Sequence, residues 1–351
     1  MILSIVKEQL TNAEIYLPAD NCLIIRTIES HAGGEPFRVI VSGFPDLVGE
    51  TILEKRRDAK ENYDHIRKAL MWEPRGHADM YGCIVTPPVS DGADLGVLFM
   101  HNEGYSSMCG HGIIALSTVL IETGVFPASE PETVLRIDTP AGLITSFSAY
   151  ENGRVGEVRF TNVPSFVAEL DASVLTSEYG EVRYDLAFGG AFYAYVNAGD
   201  LGLQCEPSDS ERLIRAGRAI KQDVMESREI IHPLEDDLGF LYGVIFVCGE
   251  DPHHSRNVCI FADGEVDRSP TGTGVSGRLA IHHARGEIGV GERIEVESIV
   301  GSVFRGSIEG ETEFGGYPAV IPSIAGEAFI TGKNEFYLNA ADEIGKGFFL
   351  R

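Results

Sequence analysis

Short apolar runs broken by polar punctuation give the first half of the chain the rhythm of strands. LIIRTIE (23–29), FRVIVSG (37–43), MYGCIV (80–85) and LGVLFM (95–100) are rich in β-branched and aromatic residues and bounded by Gly, Pro or Asp. One stretch breaks the rhythm: the long polar segment from Ile52 to Leu70 is predicted as a helix. In CGHGIIALSTVLIETG, by contrast, Ile113, Ile114, Leu116, Val119, Leu120 and Ile121 fall all round the helix axis. A helix apolar on every side has to be enclosed on every side, and Gly124 supplies its stop.

Strands VLRID (134–138), LITSFSAY (143–150) and VGEVRFTNV (155–163) follow, with Ala141-Gly142 and Asn152-Gly153 as hairpin turns. The second half repeats the plan. RYDLAFGGAFYAYVNA (183–198) reads as strand, and SDSERLIRAGRAIKQDVM (208–225) as a helix opened by a capping box of Ser208 and Glu211. FLYGVIFVC (240–248) and NVCIFA (257–262) are strands, TGTGVSGRLAIHHARG (271–286) a second glycine-headed helix, and strands fill 293–308 and 319–332. The same order of parts twice implies an internal duplication. Expected domains are 1–163 plus 335–351, and 164–334, with the hinge near Asn162 to Phe166 and a last strand, about Lys346 to Leu350, returning to the first domain.

The length of 351 residues supports two domains, since single cores stop growing at roughly 250–300 residues. A formal charge of −25 with no basic cluster speaks against nucleic acid or an anionic membrane as partner. No run approaches the ~18 apolar residues of a membrane span, and the start MILSIVKEQLTNAEIYL lacks the pattern of a signal peptide. A cytoplasmic location is the expectation. Six cysteines (22, 83, 109, 205, 248, 259) form no CxxC pair, and all but Cys109 read as small buried hydrophobes of a reducing compartment.

Candidate chemistry sits where each half opens its enclosed helix: Ser107-Met108-Cys109-Gly110-His111-Gly112 and Ser269-Pro270-Thr271-Gly272-Thr273-Gly274. Glycines at a helix start leave backbone N–H groups uncovered, and the helix dipole adds positive charge there. Two such starts facing one cleft would hold a carboxylate without metal or arginine. A helix N-terminus typically lowers a thiol from about 8.5 toward ~3.5–7.5, so Cys109 is expected to be a thiolate at neutral pH. Thr271 cannot match it without an activating neighbour.

Two other patterns invite readings that the context opposes. Gly272, Gly274 and Gly277 spell GxGxxG, but an Asp-Arg-Ser-Pro turn stands where a dinucleotide fold needs a strand. His253-His254 and His282-His283 suggest a metal, yet adjacent histidines point apart and no carboxylate stands at ligand spacing, so they read as surface residues. Neither cofactor nor metal is expected.

His31-Ala32-Gly33-Gly34-Glu35-Pro36, Met108-Cys109-Gly110-His111-Gly112 and Asp267-Arg268-Ser269-Pro270-Thr271-Gly272-Thr273-Gly274 resemble, in order, three signature segments of the proline racemase superfamily. The resemblance implies an α/β fold like diaminopimelate epimerase, with two pseudo-symmetric domains, each a β-barrel around a central helix, and a small imino acid bound between them. A homodimer is a further expectation of the family. Its racemases and 4-hydroxyproline epimerases carry cysteine in both helix-start motifs, whereas Thr271 fills the second here. That is the pattern of the family's trans-3-hydroxy-L-proline dehydratases. By the same matching, Gly110, His111, Asp267, Gly272 and Thr273 resemble substrate-binding positions, with Asp267 suited to the ring ammonium. Glu35 and His31 are expected to shape the loop beside the site.

Stereochemistry agrees with that expectation. In trans-3-hydroxyproline the C2 hydrogen and the 3-hydroxyl share one face of the ring, so a single thiolate can take the proton and return it to the departing hydroxyl. Epimerisation or racemisation, and a two-domain amino-acid-binding protein, stay open as alternatives.

Overall fold

The structure, a computed structural model, describes residues 16–350. Its first half runs through β1 (Cys22–Ala32), β2 (Glu35–Ser42), α1 (Ile52–Asn62), α2 (Asp64–Met71), β3 (Tyr81–Thr86), β4 (Leu95–His101), β5 (Tyr105–Ser106), α3 (Gly110–Glu122), β6 (Glu132–Thr139), β7 (Gly142–Glu151) and β8 (Arg154–Thr161). The second half runs through β9 (Ser165–Thr176), β10 (Gly180–Phe188), β11 (Phe192–Asn197), α4 (Ser210–Ser227), β12 (Leu241–Asp251), β13 (His254–Phe261), β14 (Glu265–Val266), α5 (Gly272–Ala284), β15 (Arg293–Glu297), β16 (Val303–Phe314), β17 (Tyr317–Gly326) and β18 (Ala328–Asn339).

Strand pairing closes two barrels with matching connectivity. In the first, β1 and β2 are antiparallel, β3 lies parallel to β2, β4 antiparallel to β3, and β6 parallel to β4, with β7 and β8 completing the wall. In the second, β10 to β13, β15, β16 and β17 repeat that sequence of orientations. Divided as the repeats β1–β9 and β10–β18, each half lends its last strand to the other's barrel: β9 pairs with β10, and β18 pairs with β1. The chain therefore returns to the first barrel at Ala328 rather than at 335, and 346–350 contributes only an isolated Glu73–Phe348 bridge. Asn162, at the crossing between β8 and β9, bonds through its side-chain amide to Gly189 O and Ser276 Oγ, each at 2.8 Å.

The two enclosed helices are the barrel axes. Every residue of α3 from Gly110 to Ile121 is buried, and so is α5 from Gly272 to His282 apart from Arg278. Gly124 ends α3 at φ +72, where a side chain would be strained. Asn152 and Gly153, at φ 54 and 77, make the β7–β8 turn, both central residues being left-handed as in a type I′ hairpin.

Three local expectations are corrected. The helix from Ile52 to Leu70 is two helices broken at Tyr63, and the capping box stands at Thr51 and Glu54, which satisfy each other's backbone N–H groups. No capping box forms at Ser208: a 3-10 turn spans Pro207–Asp209, α4 starts at Ser210, and the Asp209 carboxylate takes the Gln204 N–H and Arg212 instead. Cys205 and Cys248 are paired as a disulfide, and Cys22 is partly exposed, so the buried free thiols are Cys83, Cys109 and Cys259. Sequence separation hides the pairing, since β12 and the loop before α4 bring the two together only in the fold. Among the described residues no helix is long and apolar enough to cross a membrane.

Candidate active site

The N-termini of α3 and α5 meet head to head at the seam between the barrels. A Cβ on Gly110 would lie 2.6 Å from the Gly272 Cα, and one on Gly272 would lie 2.8 Å from the Gly110 Cα. The first service of these glycines is thus to let two backbones touch. Gly274 abuts Ile245, and a Cβ on Gly277 would stand 2.2 Å from the Tyr195 hydroxyl. All three glycines of the GxGxxG pattern are accounted for by packing.

Around this contact lies a cavity of about 20 Å³, lined by Cys109, Gly110, His111, Asp267, Thr271, Gly272 and Thr273 together with Tyr81, Met108, Tyr193, Tyr242, Cys259 and Phe261. Every site residue expected from the sequence faces one space. The volume is little more than one water requires.

Cys109 is the N-cap of α3, in extended backbone, and its Sγ accepts the Gly112 N–H at 3.2 Å. His111 Nδ1 lies 3.3 Å from the sulfur. Burial pushes the thiol well above its ordinary value, and the negative charges of Asp267 and Glu35 push the same way against the Gly112 bond. The expected thiolate is therefore not the resting form of the empty site. Helix-start arguments hold for sulfur in contact with water, and this one is buried facing two carboxyl groups.

Across the cavity the Thr271 hydroxyl donates to Asp267 Oδ2 at 2.8 Å, while Asp267 Oδ1 accepts the Ser269 N–H at 2.7 Å. Burial raises Asp267 to about 6, with these bonds opposing the rise. Thr271 sits at φ +65, a costly conformation for a β-branched residue that positions its hydroxyl at the helix start. His111, held edge-on between Phe37 and Tyr81, is lowered to about 3 by burial and stays neutral. Thr273 Oγ1 shares a 2.7 Å hydrogen bond with the Tyr193 hydroxyl.

The turn at Gly33 and Gly34 delivers Glu35 into the seam, where its Oε2 accepts the Arg268 N–H at 2.7 Å. Glu35 is fully buried, and burial and the Asp267 charge raise it well above the usual carboxylate range. His31 accepts the Gly34 N–H at 3.4 Å and packs on Phe329, away from the cavity. Of the paired histidines, His282 is buried against Glu287 at 2.5 Å rather than on the surface.

Tyr81, Tyr193, Tyr242, Phe261 and Cys259 were not expected here. In sequence they are ordinary inward positions of strands, and only the barrel seam turns them toward the site. Cys259 is a second buried thiol lining the cavity, raised well above its ordinary value by burial.

A thiol and a carboxylate-bound hydroxyl opposed between two barrels define an enzyme of the diaminopimelate epimerase-like fold class. Comparison with known proteins gives the particular branch. Residues 27–349 match the proline racemase family. A trans-3-hydroxy-L-proline dehydratase from Colwellia psychrerythraea is 50% identical over 335 residues, covering 95% of this chain and 94% of the relative. A 3-hydroxyproline 2-epimerase from Burkholderia multivorans is 46% identical over 329 residues, 93% of this chain and 98% of the relative. The crystal structure of a hydroxyproline epimerase from Agrobacterium vitis with bound trans-4-hydroxy-L-proline superposes with a TM-score of 0.91 at 33% identity, over 95% of this chain and 96% of that one. This chain belongs to the proline racemase family.

Proposed function

We propose that the protein is a trans-3-hydroxy-L-proline dehydratase in which Cys109 removes the C2 proton. One observation carries the reading: the cavity sets a thiol on one side and, at the matching helix start, a hydroxyl already committed to Asp267. The Asp267 carboxylate receives the ring ammonium, and the open N–H groups at Gly110, Gly272 and Thr273 receive the substrate carboxylate. His111, neutral, positions the sulfur. Substrate brings a positive charge between Asp267 and Cys109, offsetting the repulsion that keeps the thiol protonated. The thiolate takes the C2 proton, the 3-hydroxyl leaves as water from the same face, and the enamine tautomerises to Δ1-pyrroline-2-carboxylate.

A second reading, epimerisation at C2, is favoured by Cys259, a second thiol that lines the cavity together with Thr271. Incubation with trans-3-hydroxy-L-proline in deuterated water separates the two. The dehydratase reading predicts Δ1-pyrroline-2-carboxylate as the product by NMR; recovery of C2-deuterated cis-3-hydroxy-D-proline as the main product would establish the epimerase instead.

A further inference from the structure

We propose that Tyr81 is the general acid that protonates the departing 3-hydroxyl, an inference resting on the dehydratase reading. Tyr81 stands on β3 of the first barrel, the barrel that carries Cys109, while Thr271 and Asp267 come from the second. Its hydroxyl donates to Ser106 Oγ at 2.5 Å, lies 2.9 Å from the Tyr242 hydroxyl, and lines the same cavity as the Cys109 sulfur. The ring is fixed by edge contact with His111 at 4.9 Å, and Tyr242 is fixed in turn by stacking on Phe261 at 5.4 Å.

Stereochemistry decides where the acid must be. The C2 hydrogen and the 3-hydroxyl lie on one face, so whatever protonates the hydroxyl shares the side of the cavity from which Cys109 attacks. Beside the sulfur lies His111, beside His111 lies Tyr81, and Ser106 and Tyr242 are hydrogen-bonded to Tyr81. A phenol, ordinarily near 10, is a far stronger acid than the alcohol of Ser106 or the N–H of a neutral imidazole. The Tyr81 ring packs against His111, whose Nδ1 lies 3.3 Å from the sulfur, whereas Tyr242 stands one hydrogen bond further off, on Tyr81. Burial raises Tyr81 further above neutrality, so it enters the reaction protonated.

The step closes without an outside proton. The C2–H bond breaks, its proton going to the Cys109 thiolate and its electrons to the new C2=C3 bond. The C3–O bond breaks as the Tyr81 O–H proton joins the leaving oxygen to make water. The S–H proton of Cys109 then passes to the Tyr81 phenolate, restoring thiolate and phenol.

The test is Tyr81→Phe, which keeps the ring and removes the hydroxyl. Dehydration of trans-3-hydroxy-L-proline should fall by about 10²–10⁴-fold, while C2 deuterium accumulates in the unreacted substrate in D2O, because proton abstraction by Cys109 persists. A trans-3-chloro-L-proline substrate, whose chloride leaves unprotonated, should be eliminated by the variant within about threefold of wild type, a rescue that a packing role would not give. The proposal is overturned if dehydration stays within about threefold, if exchange falls in parallel with it, or if the chloro substrate loses as much as the hydroxy one. Failure of the wild type to form Δ1-pyrroline-2-carboxylate would instead remove the dehydratase reading itself.

Discussion

Cys109 is held between opposing influences that decide when it reacts. Gly112 N–H favours the thiolate, while burial, Asp267 and Glu35 favour the thiol. The carboxyl groups are under similar pressure, and their titration is measurable. In the proposed reaction Asp267 receives the ring ammonium as a carboxylate, and burial raises it to about 6. The kcat/KM profile should therefore show an inflection near pH 6 on its rising side, with a further rise at higher pH as Cys109 ionises, and Asp267→Asn should remove the inflection near 6. Stability runs the opposite way. A carboxyl whose folded value lies above its unfolded one contributes stability below the unfolded value, about 3.9, and loses it as pH rises through the folded value. Raising pH from 4 to 7 should thus shift the difference in unfolding free energy toward Asp267→Asn over wild type by about 2–3 kcal/mol. Denaturant titrations at the two pH values check it, and no shift would mean that Asp267 titrates normally.

At the scale of elements, the meeting of α3 and α5 creates the site. Both helices were legible because their apolar residues surround the axis, and the motif residues at their starts were legible as chemistry. The purpose of Gly110 and Gly272 was not, since backbone-to-backbone contact across two halves leaves no mark in either segment. Gly110→Ala would place its Cβ within 2.6 Å of Gly272, and overpacking of this kind costs about 1–3 kcal/mol. The expected result is a lowered Tm together with loss of turnover, because the clash lies at the cavity wall; an unchanged Tm would show that the helices slide apart freely. The long polar helix was read without its break because nothing in composition marks Tyr63. Its cap was missed although Thr51 and Glu54 have capping-box spacing, whereas at Ser208 the same spacing leads into a 3-10 turn that Pro207 begins.

For the whole molecule, the exchange of β9 and β18 makes each barrel depend on the other half. Asp79 to Arg268 at 2.8 Å, His101 to Glu265 at 3.3 Å and Arg57 to Asp237 at 2.9 Å add polar ties across the seam. Calorimetry should accordingly show one cooperative transition, and two well-separated ones would contradict the strand exchange as a stabilising device. The duplication was visible from the order of parts; the exchange was not, because a strand's hydrophobic pattern does not say which sheet edge it joins. The same blindness hid the aromatic lining, whose residues read as ordinary core.

The account's central claim is that one sulfur does the proton abstraction, and the presence of Cys259 in the same cavity makes the comparison of two variants its most direct measurement. Turnover of trans-3-hydroxy-L-proline should fall by at least about 10²–10⁴-fold in Cys109→Ser and stay within about tenfold of wild type in Cys259→Ala, with both folded by circular dichroism. Full activity in Cys109→Ser would contradict the claim outright.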